Sequence, residues 1–247
     1  MNKQQLLSFS PNENEFQDQI ILITGAGEGI GQALALACAK FGATVVLIGE
    51  ETKKLEAVYD AIEQQGSPQA AIYPMNFAGT NTNDFQVLAS TIEEQLGGID
   101  AVVSNAGWIG GFRPFQQIQV DEYMKIMNIN LHTPFWLAHS CLPLLKKSNN
   151  GSLLFSTHHT NRAYYGPFGV AKNGIDGLID ILAHEFSGEQ GIRVNGIDSG
   201  PLNTQMRRTH FPGEDWDKLP DPEAILPAYL QLLSHSSKEV SGENFRL

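Results

Sequence analysis

A short apolar run, Ile20-Ile21-Leu22-Ile23, ends at Thr24 and opens directly into a turn carrying Gly25, Gly27, Gly29 and Gly31. Four consecutive apolar residues describe a strand buried on both faces. From Ile30 the chain becomes rich in helix formers (QALALACAKF), with Gly42 as the stop. A second apolar strand follows at residues 44–48. Strand, glycine turn, helix and strand is the opening of a βαβ unit built to hold a nucleotide. The glycines let backbone approach a pyrophosphate, and the unpaired N–H groups of the helix start attract anions. Gly25, Glu28, Gly29, Ile30 and Gly31 are therefore the candidate phosphate loop.

The alternation continues. Strands are expected at residues 43–49, 70–75, 99–104, 151–157, 192–197 and 243–246. Helices are expected at 51–65, 84–96, 120–147, 168–187 and 224–234, with Pro134 and Pro143 bending or dividing the long one. Regular alternation implies an α/β fold: a Rossmann-like, doubly wound parallel sheet of about seven strands with helices on both faces. With 247 residues, no internal repeat and no linker, the chain reads as one domain. Residues 1–17 are polar and read as a loose N-terminal arm. Residues 202–227, with four prolines, read as a lid over the carboxyl edge of the sheet.

A formal net charge of −11 without any basic run argues against nucleic acid or an anionic membrane as partner. No window approaches the roughly 18 apolar residues of a membrane span, and the N-terminus lacks a signal-peptide core. Cys38 and Cys141 lie far apart in helical segments and read as buried small hydrophobes, which fits a cytoplasmic protein.

Several further segments carry a resemblance. Thr24-Gly25-Ala26-Gly27-Glu28-Gly29-Ile30-Gly31 matches the TGxxxGxG loop of the short-chain dehydrogenase/reductase family. Ser104-Asn105-Ala106-Gly107 resembles its NNAG turn, and Asn130 falls where that family keeps an asparagine in its long helix. Arg193-Val194-Asn195 and the segment Ser199 to Thr204 resemble its RVN…PGxxxT stretch. Order and separation agree from about Phe16 onward. The resemblance implies a nicotinamide cofactor touching the glycine loop, Asn76, Phe77, Asn105, Ala106, Gly107, Lys172 and Thr204. It also implies alcohol/carbonyl chemistry on an Asn-Ser-Tyr-Lys tetrad, in which lysine lowers the phenol's pKa.

The chain departs from that pattern at the tetrad. The YxxxK motif reads Phe168-Gly169-Val170-Ala171-Lys172, and the family's serine position falls on His158, so Asn130 and Lys172 remain while Phe168 and His158 are substitutions. General acid catalysis is worth about 10²–10⁴-fold, so losing the donor removes roughly 3–5 kcal/mol of transition-state stabilisation. An imidazole can donate a proton near neutral pH, which makes His158 either the replacement acid or a pocket histidine without a role. Ser156 and Thr157 are nearby hydroxyls, and Tyr164 and Tyr165, eight and seven residues before Lys172, either pack beside the site or enter it through the loop before the helix. His158-His159 lacks a third metal ligand at useful spacing. On a helical wheel Lys172 falls at the edge of the apolar arc, either solvated or touching the cofactor.

Glu50 lies 19 residues beyond Gly31, near the ~20 expected for an acid on the adenosine ribose. A carboxylate about 4 Å from a phosphate charge repels it by roughly 4 kcal/mol at intermediate dielectric. With no neighbouring cation to offset Glu50, the sequence favours NAD over NADP, unless Glu50 is merely a solvated loop charge. The wide apolar arc of the helix at 168–187, with the family's pairing habit, implies a homodimer or homotetramer. Met206, Phe211, Trp216, Leu219, Trp108, Ile109 and Phe112 are expected to wall an apolar, aromatic pocket for an unidentified small substrate. Two functions remain open: an NAD-dependent oxidoreductase with His158 as its acid, or a nucleotide-binding homologue with a regulatory or structural role.

Overall fold

The computed structural model describes residues 1–188 and 191–247. A single seven-stranded sheet organises the chain. Its strands are β1 (Ile20–Thr24), β2 (Thr44–Gly49), β3 (Ala71–Pro74), β4 (Ala101–Ser104), β5 (Ser152–Thr157), β6 (Arg193–Asp198) and β7 (Asn244–Arg246). The spatial order is β3-β2-β1-β4-β5-β6-β7, and every neighbouring pair is parallel. The order reverses between β1 and β4, and the crevice beyond their carboxyl ends is where such sheets bind ligands.

Helices α1 (Lys3–Leu7), α2 (Gly29–Lys40), α3 (Thr52–Gln64), α4 (Thr82–Leu96), α5 (Val120–Met127), α6 (Thr133–Leu145), α7 (Gly166–Glu185), α8 (Gln205–His210) and α9 (Leu226–Leu233) complete the fold. Alternate residues of β1 serve opposite faces. Ile21 and Ile23 pack with α2, α3 and α9 on one side, while Leu22 packs with α4, α6 and α7 on the other. This two-sided burial explains the unbroken apolar run read in the sequence. Among the described residues no helix is long and apolar enough to cross a membrane.

Residues 1–17 are not a loose arm. Asn2 and Gln5 cap α1 reciprocally, and Leu6 and Phe16 are fully buried in the core that also holds Tyr229 of α9. Two apolar anchors separated by polar residues suffice to dock the segment, although they leave its average composition hydrophilic.

The helix expected at 120–147 is interrupted by a π-turn, Asn128–His132, between α5 and α6. The break falls just before Pro134, which has no N–H to give to the carbonyl of Asn130 inside the turn. Pro134 thus stands at the division that the sequence led one to expect there, while Pro143 lies near the end of α6 without breaking it. Further on, Pro222–Ile225 is a 3₁₀ turn and only Leu226–Leu233 is α-helical, so the last helix is shorter than expected.

The Arg193-Val194-Asn195 stretch is structural. The buried Arg193 guanidinium donates to the carbonyls of Leu232 and Ser234 and to Asn150 Oδ1. Asn195 bridges to Val240 O and Glu243 N, which aligns the strand that follows.

Candidate active site

Three strand ends are laced together at the crevice. Thr24 Oγ1 accepts from Asn105 N at 2.9 Å and Ala106 N at 3.0 Å, and Asn105 Nδ2 donates to Thr24 O at 3.2 Å. Ser156 Oγ donates to Asn105 Oδ1 at 3.0 Å and lies 2.9 Å from the hydroxyl of the buried Tyr229. The Thr24 and Asn105 side chains thus hold β1 and β4 together, and Ser156 adds β5 and α9.

The glycine loop leaves room only for backbone. Gly25 has φ +67°, and a Cβ there would stand 3.0 Å from Ala106 Cα. A Cβ on Gly31 would fall 2.1 Å from Gly25 O, so this glycine shapes the turn from inside. Glu28 is the N-cap of α2 and makes no side-chain capping bond, which leaves the first-turn N–H groups available to an anion.

These groups open onto a cavity of about 460 Å³. Gly25, Glu28, Gly29, Ile30, Glu50 and Phe77 line its nucleotide end, and Asn105, Ala106 and Gly107 form its middle. His158, Phe168 and Lys172 stand at the far end, with Thr204 at the lid. Three of the residues expected to touch the cofactor or take part in catalysis are not among its lining. Gly31 is inside the turn. Asn76 turns back on its own backbone, its Oδ1 accepting from Ala78 N at 3.0 Å, and Phe77 takes the wall position. Asn130 is fully buried behind Gly107, accepting from Trp108 N at 3.1 Å and donating to Trp108 O and Ile126 O at 2.8 Å each. Its amide pins the loop after β4 to the π-turn, which explains an asparagine at that break.

Lys172 is buried rather than at a solvated edge, and its Nζ donates to Ser156 O at 2.8 Å. Burial pushes the ammonium down to about 8, with Asp176 and Asp198 opposing the shift. Phe168, one turn earlier, places its ring centroid 5.8 Å from that Nζ.

His158 follows the last residue of β5, half-buried, with Nδ1 3.4 Å from Asp198 Oδ1. Burial works against the Asp198 carboxylate, but hydrogen bonds from His158, Gly200 N and His159 N outweigh it and bring the group down to about 2. The Phe168 and Tyr165 rings lie 6.1 Å and 6.3 Å from the imidazole. Tyr165 also packs edge-on against Phe112 at 4.9 Å, outside the cavity lining, while Tyr164 is exposed. His159 points away and meets Arg246.

The lid lies over this end. Thr204 caps α8, and Arg207 stacks on Phe211 at 3.5 Å while pairing with Glu214. Met206, Phe211, Trp108 and Ile109 line the cavity. Phe112, Trp216 and Leu219 do not, and Trp216 instead donates from Nε1 to Phe211 O at 3.1 Å. Among the described residues no cluster of three His, Cys, Asp or Glu stands in metal-binding arrangement.

Two residues escaped sequence reasoning. Asp198 has as its only signal a carboxylate ending an apolar strand. Lys54, in the first turn of α3, reaches the cavity rim with Nζ 2.7 Å from Glu28 and 2.6 Å from Glu51.

Comparison with known proteins places this geometry. The short chain dehydrogenase family model matches residues 19–215. The uncharacterized oxidoreductase YciK of Escherichia coli is 34% identical over 97% of this chain and 95% of its own length. A short chain dehydrogenase structure from Shigella flexneri, complexed with NADP, superposes with a TM-score of 0.91 at 34% identity, covering 95% of this chain and 99% of that one. Another from Escherichia coli CFT073, complexed with NADPH, gives 0.91 at 35%, covering 96% and 99%. These complexes overturn the expectation of NAD over NADP. That expectation set Glu50, Glu51 and Glu28 against no nearby cation, whereas the fold carries Lys54 to the rim, where it pairs with Glu28 and Glu51. The sheet order, the glycine loop and the family match agree: the chain belongs to the short-chain dehydrogenase/reductase family.

Proposed function

We propose that this protein is an NADP(H)-linked oxidoreductase that interconverts an alcohol and a carbonyl on an apolar small molecule, with His158 as its acid. The observation that carries the reading is one cavity shared by the glycine cradle, the uncapped start of α2, Lys172 and His158. The backbone around Gly25 and Gly29 and the N–H groups of α2 fit a dinucleotide pyrophosphate. Lys54 is the cation for a 2′-phosphate, and Lys172 fits the nicotinamide ribose. When bound, the dinucleotide supplies or accepts the hydride; the chain's own task is the proton.

His158 stands where the family keeps serine, and Phe168 where it keeps tyrosine, so the phenol's task falls to the imidazole. A charged His158 gives its Nε2 proton to the oxygen of the carbonyl being reduced, and the neutral ring takes a hydroxyl proton in the reverse direction. Trp108, Ile109, Phe168 and Phe211 make the surrounding wall apolar. The test is titration with NADPH and NADH, followed by a carbonyl panel scored by loss of NADPH absorbance. Turnover that falls about 100-fold or more in His158→Gln supports the reading, and undiminished turnover overturns it.

Phe168 favours a second reading, a nucleotide-binding member without turnover, because a benzene ring beside Lys172 has no proton to exchange. Cofactor binding with no activity across the panel, and activity appearing in the double variant His158→Ser, Phe168→Tyr, supports that alternative.

We also infer a homodimer or homotetramer in the cytoplasm. Val120, Met124, Phe135, Val170 and Ile181 on α5, α6 and α7 are exposed apolar side chains that a second copy would cover. Both thiols are free and buried, which suits a reducing compartment. Light scattering that reports a monomer would remove the oligomer.

A further inference from the structure

His158 and Asp198 come from adjacent strand ends. Thr157 and Asp198 are register partners in the β5–β6 ladder, so the residue just past β5 turns toward the last carboxylate of β6. We propose that Asp198 is a positioning residue that fixes the His158 ring as its Nδ1–H tautomer and reserves Nε2 for the substrate oxygen. The inference rests on reading His158 as the acid of this site.

The carboxylate is itself immobilised. Oδ2 accepts from His159 N at 3.0 Å and Oδ1 from Gly200 N at 3.1 Å, and the side chain is only 11% exposed. An ionised carboxylate accepts hydrogen bonds and donates none. Facing Nδ1, it therefore favours a ring with its hydrogen on that nitrogen and repels the lone pair of the other tautomer. The rings of Phe168 and Tyr165 flank the imidazole without offering Nδ1 a competing acceptor. Lys172 offers Nδ1–H no acceptor either, since an ammonium only donates, and one of its donors is given to Ser156 O. The 3.4 Å separation is at the loose end of hydrogen bonding, as in catalytic pairs that tighten when substrate closes the site.

The tautomer decides what the ring can do. In carbonyl reduction, hydride from the reduced nicotinamide goes to the carbonyl carbon. The oxygen takes the Nε2 proton of the imidazolium, and the ring is left neutral as Nδ1–H. In alcohol oxidation the neutral Nδ1–H ring has its Nε2 lone pair free to take the hydroxyl proton as hydride leaves. A neutral Nε2–H ring has no lone pair on Nε2 with which to take that hydroxyl proton.

The test is long-range ¹H–¹⁵N correlation of the imidazoles in full-length, ¹⁵N-labelled protein, recorded where the ring is neutral, with His158 assigned by the signal lost in His158→Gln. The expected result is an Nδ1–H tautomer in the wild type that shifts toward Nε2–H in Asp198→Ala. In the same variant kcat should fall about 10–100-fold while NADPH affinity is unchanged. An Nε2–H tautomer in the wild type overturns the proposal, and this needs no variant to fold. So does a tautomer unmoved in Asp198→Ala. Turnover surviving in His158→Gln, or turnover found with no carbonyl at all, overturns instead the assignment of His158 as acid, so the two failures are read separately.

Discussion

The Lys172 ammonium donates to Ser156 O at 2.8 Å across the β5–α7 interface, and almost none of its side chain reaches solvent. A lysine so placed is held against its preference for the charged form: burial lowers it to about 8 from 10.5. In the unfolded chain it keeps its proton up to the higher value. Folding is therefore penalised below pH 8, and the penalty is relieved as the pH rises from 8 to 10.5. A shift of this size corresponds to about 3 kcal/mol. Lys172→Met, which also loses one hydrogen bond worth about 1 kcal/mol, should raise Tm at pH 7 by roughly 2–8 °C. Scanning calorimetry across pH checks it: the gain should shrink as pH passes from 8 to 10.5, and cofactor affinity should drop.

Asn130 offers the opposite case. Its fully buried amide satisfies Trp108 N–H, Trp108 C=O and Ile126 C=O. Asn130→Ala strands these groups, at about 2–4 kcal/mol. A fall in Tm of roughly 5–15 °C in thermal unfolding by circular dichroism is the expected outcome. A change under 2 °C, about what 0.5 kcal/mol produces, would mean the loop is held otherwise.

The glycine turn makes a sharper claim. A methyl on Gly31 meets a backbone carbonyl at 2.1 Å, so Gly31→Ala must push the turn open. Strain of about 1–3 kcal/mol placed on the cradle weakens NADPH binding by roughly 5–150-fold. Isothermal titration reads this directly, and unchanged affinity would show that the pyrophosphate lies elsewhere.

Lys54 is shared by Glu28 and Glu51, whose hydrogen bonds raise its pKa, so it stays charged at the rim. Lys54→Ala should weaken NADPH about 10-fold and leave NADH nearly untouched, since a charge-assisted contact to the 2′-phosphate is worth on the order of 1.5 kcal/mol. Glu50→Gln should act in reverse and tighten NADPH several-fold by removing a repelling carboxylate. Equal losses for both cofactors in Lys54→Ala would show that this lysine does not read the phosphate.

Much of this was legible in the chain, because a parallel sheet writes its strands as unbroken apolar runs and its helices as spaced ones. Ile20 to Thr24, and the glycines that follow, announce both the strand and the cradle. What escaped depends on through-space pairing. Asp198 stands forty residues from His158 and meets it only because β5 and β6 are neighbours in register. Lys54 lies after the acidic pair at the end of β2, and only the turn of α3 brings it back to Glu28. The π-turn at Asn128–His132 adds a residue to a helix without altering its composition, so spacing alone read it as continuous.

Leu6 and Phe16 share a core with Tyr229, and the Tyr229 hydroxyl meets Ser156 beneath the cavity. The amino end is thus a brace for the catalytic floor, and genetic trimming or a bulky purification tag there would be felt at the reaction centre more than 140 residues downstream. Preparations intended for kinetics are better tagged at another position.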